Sequence, residues 1–224
     1  MAQPIQMKAA VLDAAGAPFR IAQVARPTPK SGEVLVRVKA SAVNPLDLKI
    51  RAGSAAHARQ PLPSIPGIDM AGTIEAIGPD VRGLEIGDDV FGMTGGVGGV
   101  QGSLAEFAAV DARLIAQKPK QLGHREAAAL PLIFITAWEG LVDRAQVTAG
   151  QKVLVQGAGG VGHIVVQLAR AFGATAFAVD SAATNRGRIC ADAQNMKLNR
   201  SRRRSFPKCL PLQSRGKPLP RFAA

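Results

Sequence analysis

The apolar run Val153-Leu154-Val155 leads into Gln156-Gly157-Ala158-Gly159-Gly160-Val161-Gly162, with Gly157, Gly159 and Gly162 at the glycine places of a G-x-G-x-x-G turn. No other segment restricts the fold as strongly. A helical pattern follows, then a second apolar run from Thr175 to Val179 that closes on Asp180, 23 residues beyond the first glycine. Strand, glycine turn, helix and strand in that order read as the opening β-α-β of a dinucleotide-binding fold. Such a turn needs its glycines for a tight bend, for close approach of backbone to pyrophosphate, and for close packing of helix on strand. The helix N-terminus then offers free backbone N–H groups to the anion. Gly157, Ala158, Gly159, Gly160, Val161 and Gly162 are the candidate cofactor-binding residues. Asp180 joins them as an acid placed to bond a ribose hydroxyl, which favours NAD over NADP. Asn185, Arg186 and Arg188 follow closely enough to answer a phosphate, so NADPH and NADH both stay open. A second glycine-rich stretch, Gly95 to Gly102, has Gln101 at the third glycine place and no apolar helix after it, and reads as a mobile hairpin loop.

The formal charge of +12 is unevenly distributed. Residues 1–180 carry 17 Lys/Arg against 15 Asp/Glu, whereas residues 181–224 carry 11 against one. The first part therefore reads as an ordinary near-neutral globular chain, long enough to bury a core. Both cysteines, Cys190 and Cys209, lie in the basic segment, so residues 1–189 hold neither a disulfide framework nor a thiolate metal site. No basic region with a following apolar core opens the chain, and no apolar run reaches the roughly 18–20 residues of a membrane span. A cytoplasmic protein with no membrane partner is the expectation.

Residues 7–115 are broken by Gly and Pro at short intervals and read as mainly β. Strands are predicted over Lys8–Leu12, Glu33–Ala40, Ile68–Ile77, Asp89–Met93 and Ser103–Val110. Asn44-Pro45 makes a helix start, with Asn as N-cap, Pro at the first position and Asp47 in the first turn. A helical pattern runs from His124 to Ala145, interrupted by Pro131. After the glycine turn, Ile164, Leu168 and Phe172, with Val161 and Val165 alongside, form the stripe that packs on a sheet, and Gly173 sits at the helix end.

Five segments in order carry a resemblance. They are Val36-Arg37-Val38-Lys39-Ala40-Ser41-Ala42-Val43-Asn44-Pro45-Leu46-Asp47, Pro66-Gly67-Ile68-Asp69-Met70-Ala71-Gly72, Gly87-Asp88-Asp89-Val90-Phe91-Gly92, Thr136-Ala137-Trp138-Glu139 and the glycine turn. Over residues 7 to 180 the chain resembles the zinc-independent, quinone oxidoreductase-like branch of the medium-chain dehydrogenase/reductase superfamily. The resemblance implies an α/β two-domain fold, a β-rich GroES-like N-terminal domain plus a Rossmann-type parallel sheet, with the active site in the cleft between them. The domains are expected at residues 1–125 (GroES-like, catalytic), 126–184 (connecting helices and first β-α-β) and 185–224 (basic tail). In the metal-using branch a Cys, a His and another Cys hold the catalytic zinc. The corresponding places here are Asn44, Ile68 and about Leu132, which do not form a zinc ligand set. His57, His124 and His163 are scattered, so no metal is expected.

A hydride-transfer enzyme without a metal polarises its substrate by hydrogen bonds and positioning, which suits conjugated acceptors such as quinones and enones. Asn44 is the candidate catalytic contact, and Thr136 matches the family position that touches the nicotinamide. Asn44 also serves as a helix cap on its own account, and Thr136 as plain packing. No residue is singled out as proton donor.

Past Thr184 the resemblance stops. The remaining segment, with Arg200, Arg202, Arg203, Arg204 and Pro207, Pro211, Pro218 and Pro220, shows neither strand alternation nor a helical stripe. The reading is a truncated or frame-shifted product with half the nucleotide sheet missing and an open apolar edge. Weak cofactor binding and little turnover are expected. The competing classes are a non-enzymatic GroES-like interaction module and a nucleic-acid binder acting through the basic tail. Two lone rings, Phe206 and Phe222, give no stacking surface for the latter. The expected partner is a small quinone or enone, and a homodimer is compatible with a full-length family member.

Overall fold

The computed structural model describes residues 4–179. They form two compact units that divide between Leu132 and Ile133.

The first unit is β-rich. β1 (Gln6–Val11) and β2 (Arg20–Ala25) make an antiparallel pair. β3 (Glu33–Ser41), β4 (Asp69–Ile77), β5 (Asp89–Met93), β6 (Phe107–Asp111) and β7 (Ile115–Gln117) form a second sheet in the order β6-β3-β4-β5-β7. Its partner strands are antiparallel throughout. β4 lies at the centre, and its run Asp69-Met70-Ala71-Gly72 is buried without alternation, as a strand covered on both faces must be. Val34, Val36, Met70, Ile74, Val90, Ala108 and Val110 form the core of this sheet. The α/β architecture, with a β-rich GroES-like sheet and a parallel strand pair, is the one expected.

Three expectations need correction. β2 is absent from the predicted strands because its side chains are mostly exposed, with Ile21 70% accessible, so no apolar alternation marks it. The strand predicted over Ser103–Val110 begins only at Phe107, because Ser103 is held by side-chain bonds and Ala105 makes an isolated bridge to Ala9. Gly95–Gly102 is not a hairpin: β5 pairs with β4 and β7, whereas β6 pairs with β3. That connection folds back on itself and is held by Gln60, whose Oε1 accepts the Gly99 N–H while its Nε2 donates to Val100 O.

Two helices precede the unit boundary and a third spans it. α1 (Pro45–Arg51) starts where Asn44-Pro45 predicts, and α2 (His124–Ala128) tucks Ala127 and Ala128 against Ala71 of β4. The helical pattern breaks ahead of Pro131 as expected, and Pro131 opens α3 (Pro131–Trp138). A π-helical turn, Glu139–Arg144, extends it. In the second unit β8 (Lys152–Gln156) runs parallel to β9 (Thr175–Val179), joined through α4 (Gly160–Ala171). The buried side of α4 comprises Gly162, Ile164, Val166, Leu168 and Ala169, and Gly173 follows it with a φ of 78°. One face of the strand pair packs Val155 and Ala176 inward. The other leaves Leu154, Phe177 and Val179 exposed.

Candidate functional site

In the first unit a hydrogen-bond centre forms around Asp69. As the first residue of β4 it pairs with Met93 of β5, and its carbonyl accepts the Ser103 hydroxyl (3.0 Å) and the Ala42 N–H (3.2 Å). Its side chain is fully buried. Oδ2 accepts two N–H groups, from Asn44 Nδ2 at 2.9 Å and from the Leu132 backbone at 3.1 Å. Oδ1 is buried and meets no hydrogen-bonding group among the described residues. Asn44 itself is 5% exposed and takes an extended backbone at the N-cap of α1. Its own N–H donates to Asp47 Oδ2 at 2.7 Å, which closes the helix start. Ser41 Oγ lies 2.7 Å from Ser103 Oγ, extending the polar chain to the end of β3.

Burial governs the charge here. It pushes the Asp69 carboxyl up to about 6, against the hydrogen bonds from Asn44 and Leu132 and with the Asp47 charge adding to the rise. Burial likewise raises Asp47 above the usual carboxylate range, and the hydrogen bonds from Asn44 and the Ile68 backbone offset only part of it. Asn44 thus touches two desolvated carboxyls.

The structure brings together several residues that the sequence singled out. Asn44 and Leu132 meet on one oxygen of Asp69. Ile68 shares an apolar cluster with Leu132, Leu46, Met93 and Ile50. Asp69 was legible only as part of the Pro66–Gly72 segment, with no role attached. The available signal was a lone carboxylate inside an otherwise apolar strand, which must find donors when buried.

In the second unit, Gly157 leaves β8 with a φ of 91°, and its N–H donates to Val179 O. Gly159 is the N-cap of α4, and a Cβ built on it would meet nothing within 4 Å, so backbone is open to approach there. Gly162 is the opposite case. A Cβ on it would collide with the Gly157 carbonyl and lie 3.4 Å from Val155 Cγ1, so this glycine lets α4 press onto β8. Ala158 is buried, Val161 is half-buried and Gly160 is exposed beside Ile133. Thr136 lies on α3 with its side chain exposed. Asp180 and the basic segment after it lie outside the described residues.

Residues 30–120 match the family model described as the alcohol dehydrogenase GroES-like domain. A 2-methylene-furan-3-one reductase from Solanum lycopersicum is 46% identical over 164 residues, covering 70% of this chain and 42% of that protein. An NADPH-dependent alkenal/one oxidoreductase from Arabidopsis thaliana is 44% identical over 149 residues, 64% of this chain and 38% of the relative. The crystal structure of an alcohol dehydrogenase superfamily protein from Novosphingobium aromaticivorans superposes with a TM-score of 0.77 at 60% identity, covering 78% of this chain and 53% of that one. The chain belongs to the medium-chain dehydrogenase/reductase superfamily. It spans less than half the length of these two curated relatives. In the superfamily's metal-using branch the catalytic zinc sits on Cys, His and Cys. Ile68 and Leu132 contribute hydrocarbon to one cluster, and the Asn44 amide nitrogen is turned to Asp69. Among the described residues no group of three His, Cys, Asp or Glu side chains is placed to hold a metal.

Proposed function

We propose that the chain is a zinc-independent, NAD(P)H-dependent oxidoreductase that reduces a conjugated carbonyl compound, an enone or a quinone. The observation that carries this reading is the glycine turn. It leaves a parallel strand, opens α4 with space over Gly159 and with Gly160 exposed, and presses the helix onto the strand at Gly162. Those are the requirements for holding a pyrophosphate on N–H groups at a helix start. A bound nicotinamide supplies the hydride. Gly157, Ala158, Gly159, Gly160, Val161 and Gly162 hold the cofactor, Thr136 contacts its nicotinamide end, and Asn44 offers a polar contact at the reacting end. Zinc independence follows from Ile68 and Leu132 at the ligand places. Hydrogen bonding then carries the polarisation of the acceptor, and a conjugated acceptor delocalises the developing charge.

The test is titration of the full chain with NADPH and with NADH, followed by a panel of enones, quinones and alcohols in which loss of nicotinamide absorbance is recorded. Saturable binding of one nucleotide and turnover of enones or quinones without added zinc supports the reading. Absence of saturable binding by either nucleotide overturns it, and turnover restored only by zinc overturns the metal-free part.

A further inference from the structure

Among the described residues, Asp69 is the only acidic residue that is fully buried, and a carboxylate sealed from water is costly unless its donors repay it. Capping of α1 does not account for it, since Asp47 already closes that helix start from within the helix. Its donors are the Asn44 carboxamide and the Leu132 N–H, both on the same oxygen. We propose that Asp69 is a positioning residue for Asn44: it holds the carboxamide with its nitrogen turned toward β4 and so decides which atoms Asn44 can offer a ligand.

Three observations support this assignment. The Asp69 backbone is anchored, because its strand is paired on both sides and its carbonyl is bonded by Ser103 and Ala42. The Leu132 N–H loads the same Oδ2, which keeps the carboxyl from turning its other oxygen toward Asn44. The Asn44 backbone is fixed by Asp47, whose capping box also engages the Asn44 side chain, and Asp69 takes the nitrogen end of the carboxamide. A carboxamide has two chemically different ends, and fixing its rotation converts an ambiguous contact into a defined one. The proposal rests on Asn44 being the polar contact named under the function above.

The experiment uses the full chain with nitrogen-15 in its asparagine side chains. The Asn44 NH2 pair is assigned by its loss in Asn44→Ser. Asn44 is expected to show two widely separated proton signals, one exchanging slowly with water. Asp69→Ala removes the acceptor and collapses that separation, whereas Asp69→Asn, which retains one oxygen, keeps part of it. Where the wild type turns over, Asp69→Ala lowers kcat by about tenfold while nucleotide affinity changes by less than about twofold, as expected for loss of orientation alone. An Asn44 pair that exchanges as fast as an exposed asparagine, or that is the same in Asp69→Ala, overturns the proposal. If Asp69→Ala does not fold, the wild-type exchange rate and Asp69→Asn decide. None of the resonance measurements needs cofactor, so absence of nucleotide binding defeats the proposed function and leaves this test intact.

Discussion

His124 Nε2 lies 3.1 Å from Asp89 Oδ1 and ties the first turn of α2 to β5. Thr73 donates to the same oxygen at 2.9 Å, and Lys118 Nζ is 3.6 Å from the other. Burial acts to raise Asp89, but the Thr73 and His124 hydrogen bonds and the His124 and Lys118 charges outweigh it and hold the carboxyl below its ordinary range. A depressed carboxylate stabilises the fold at pH above its unfolded value and loses that contribution as pH falls through its folded value. Asp89→Asn is therefore expected to cost about 1 kcal/mol at pH 7, a modest figure because the side chain is 41% exposed and solvent screens it. The cost shrinks toward zero below about pH 3, as urea unfolding at several pH values will show.

Asp69 has the opposite sign. Its folded value near 6 stands above that of an unfolded aspartate, so the native state binds the extra proton between about pH 4 and 6. Its contribution therefore becomes more favourable as pH falls through that window, by roughly 1–3 kcal/mol in total. The stability difference between wild type and Asp69→Asn should change between about pH 7 and pH 4 and level off above and below that range. A flat difference across that range would show that Asp69 titrates as an ordinary carboxylate.

Gly162→Ala and Gly159→Ala separate packing from binding. The first drives a methyl into the Gly157 carbonyl and is expected to destabilise the second unit by roughly 1–3 kcal/mol. The second meets open space and leaves the unfolding midpoint nearly unchanged, while weakening nucleotide binding by about tenfold through lost backbone approach. Thermal melts alongside nucleotide titration distinguish the two.

Trp138, the chain's single tryptophan, lies 5.9 Å from the Phe134 ring and 6.0 Å edge-on from Phe172, which follows α4. Phe172→Ala removes that edge contact and part of an apolar surface, costing about 2 kcal/mol for a half-buried ring. The midpoint of the tryptophan fluorescence transition in urea should fall accordingly.

Much of this was legible because local chemistry and tertiary context agree. Pro45 after Asn44 could only begin a helix cheaply, and the Asp89–Met93 strand is found with the bounds expected for it. The glycine turn is legible for the same reason, since strand, turn and helix each carry their own signal. β2 was not, because it pairs through its backbone while its side chains face outward. Asp69 was not, because a buried carboxylate is defined by its donors, and Asn44 and Leu132 lie 25 and 63 residues away. The division after Leu132 was hidden because it falls inside α3.

The register of β3 against β6 matches Glu33 with Asp111 and Arg37 with Phe107. During synthesis at about 5–20 residues per second, β3 would stand without that neighbour for roughly 4–15 s after it is made. Its other neighbour, β4, arrives earlier, so the sheet grows first toward β5 and closes its far edge late. A pairing so distant in sequence makes folding of the β-rich unit slow for its size, and it gives chaperones their longest opportunity at Val34, Leu35 and Val36.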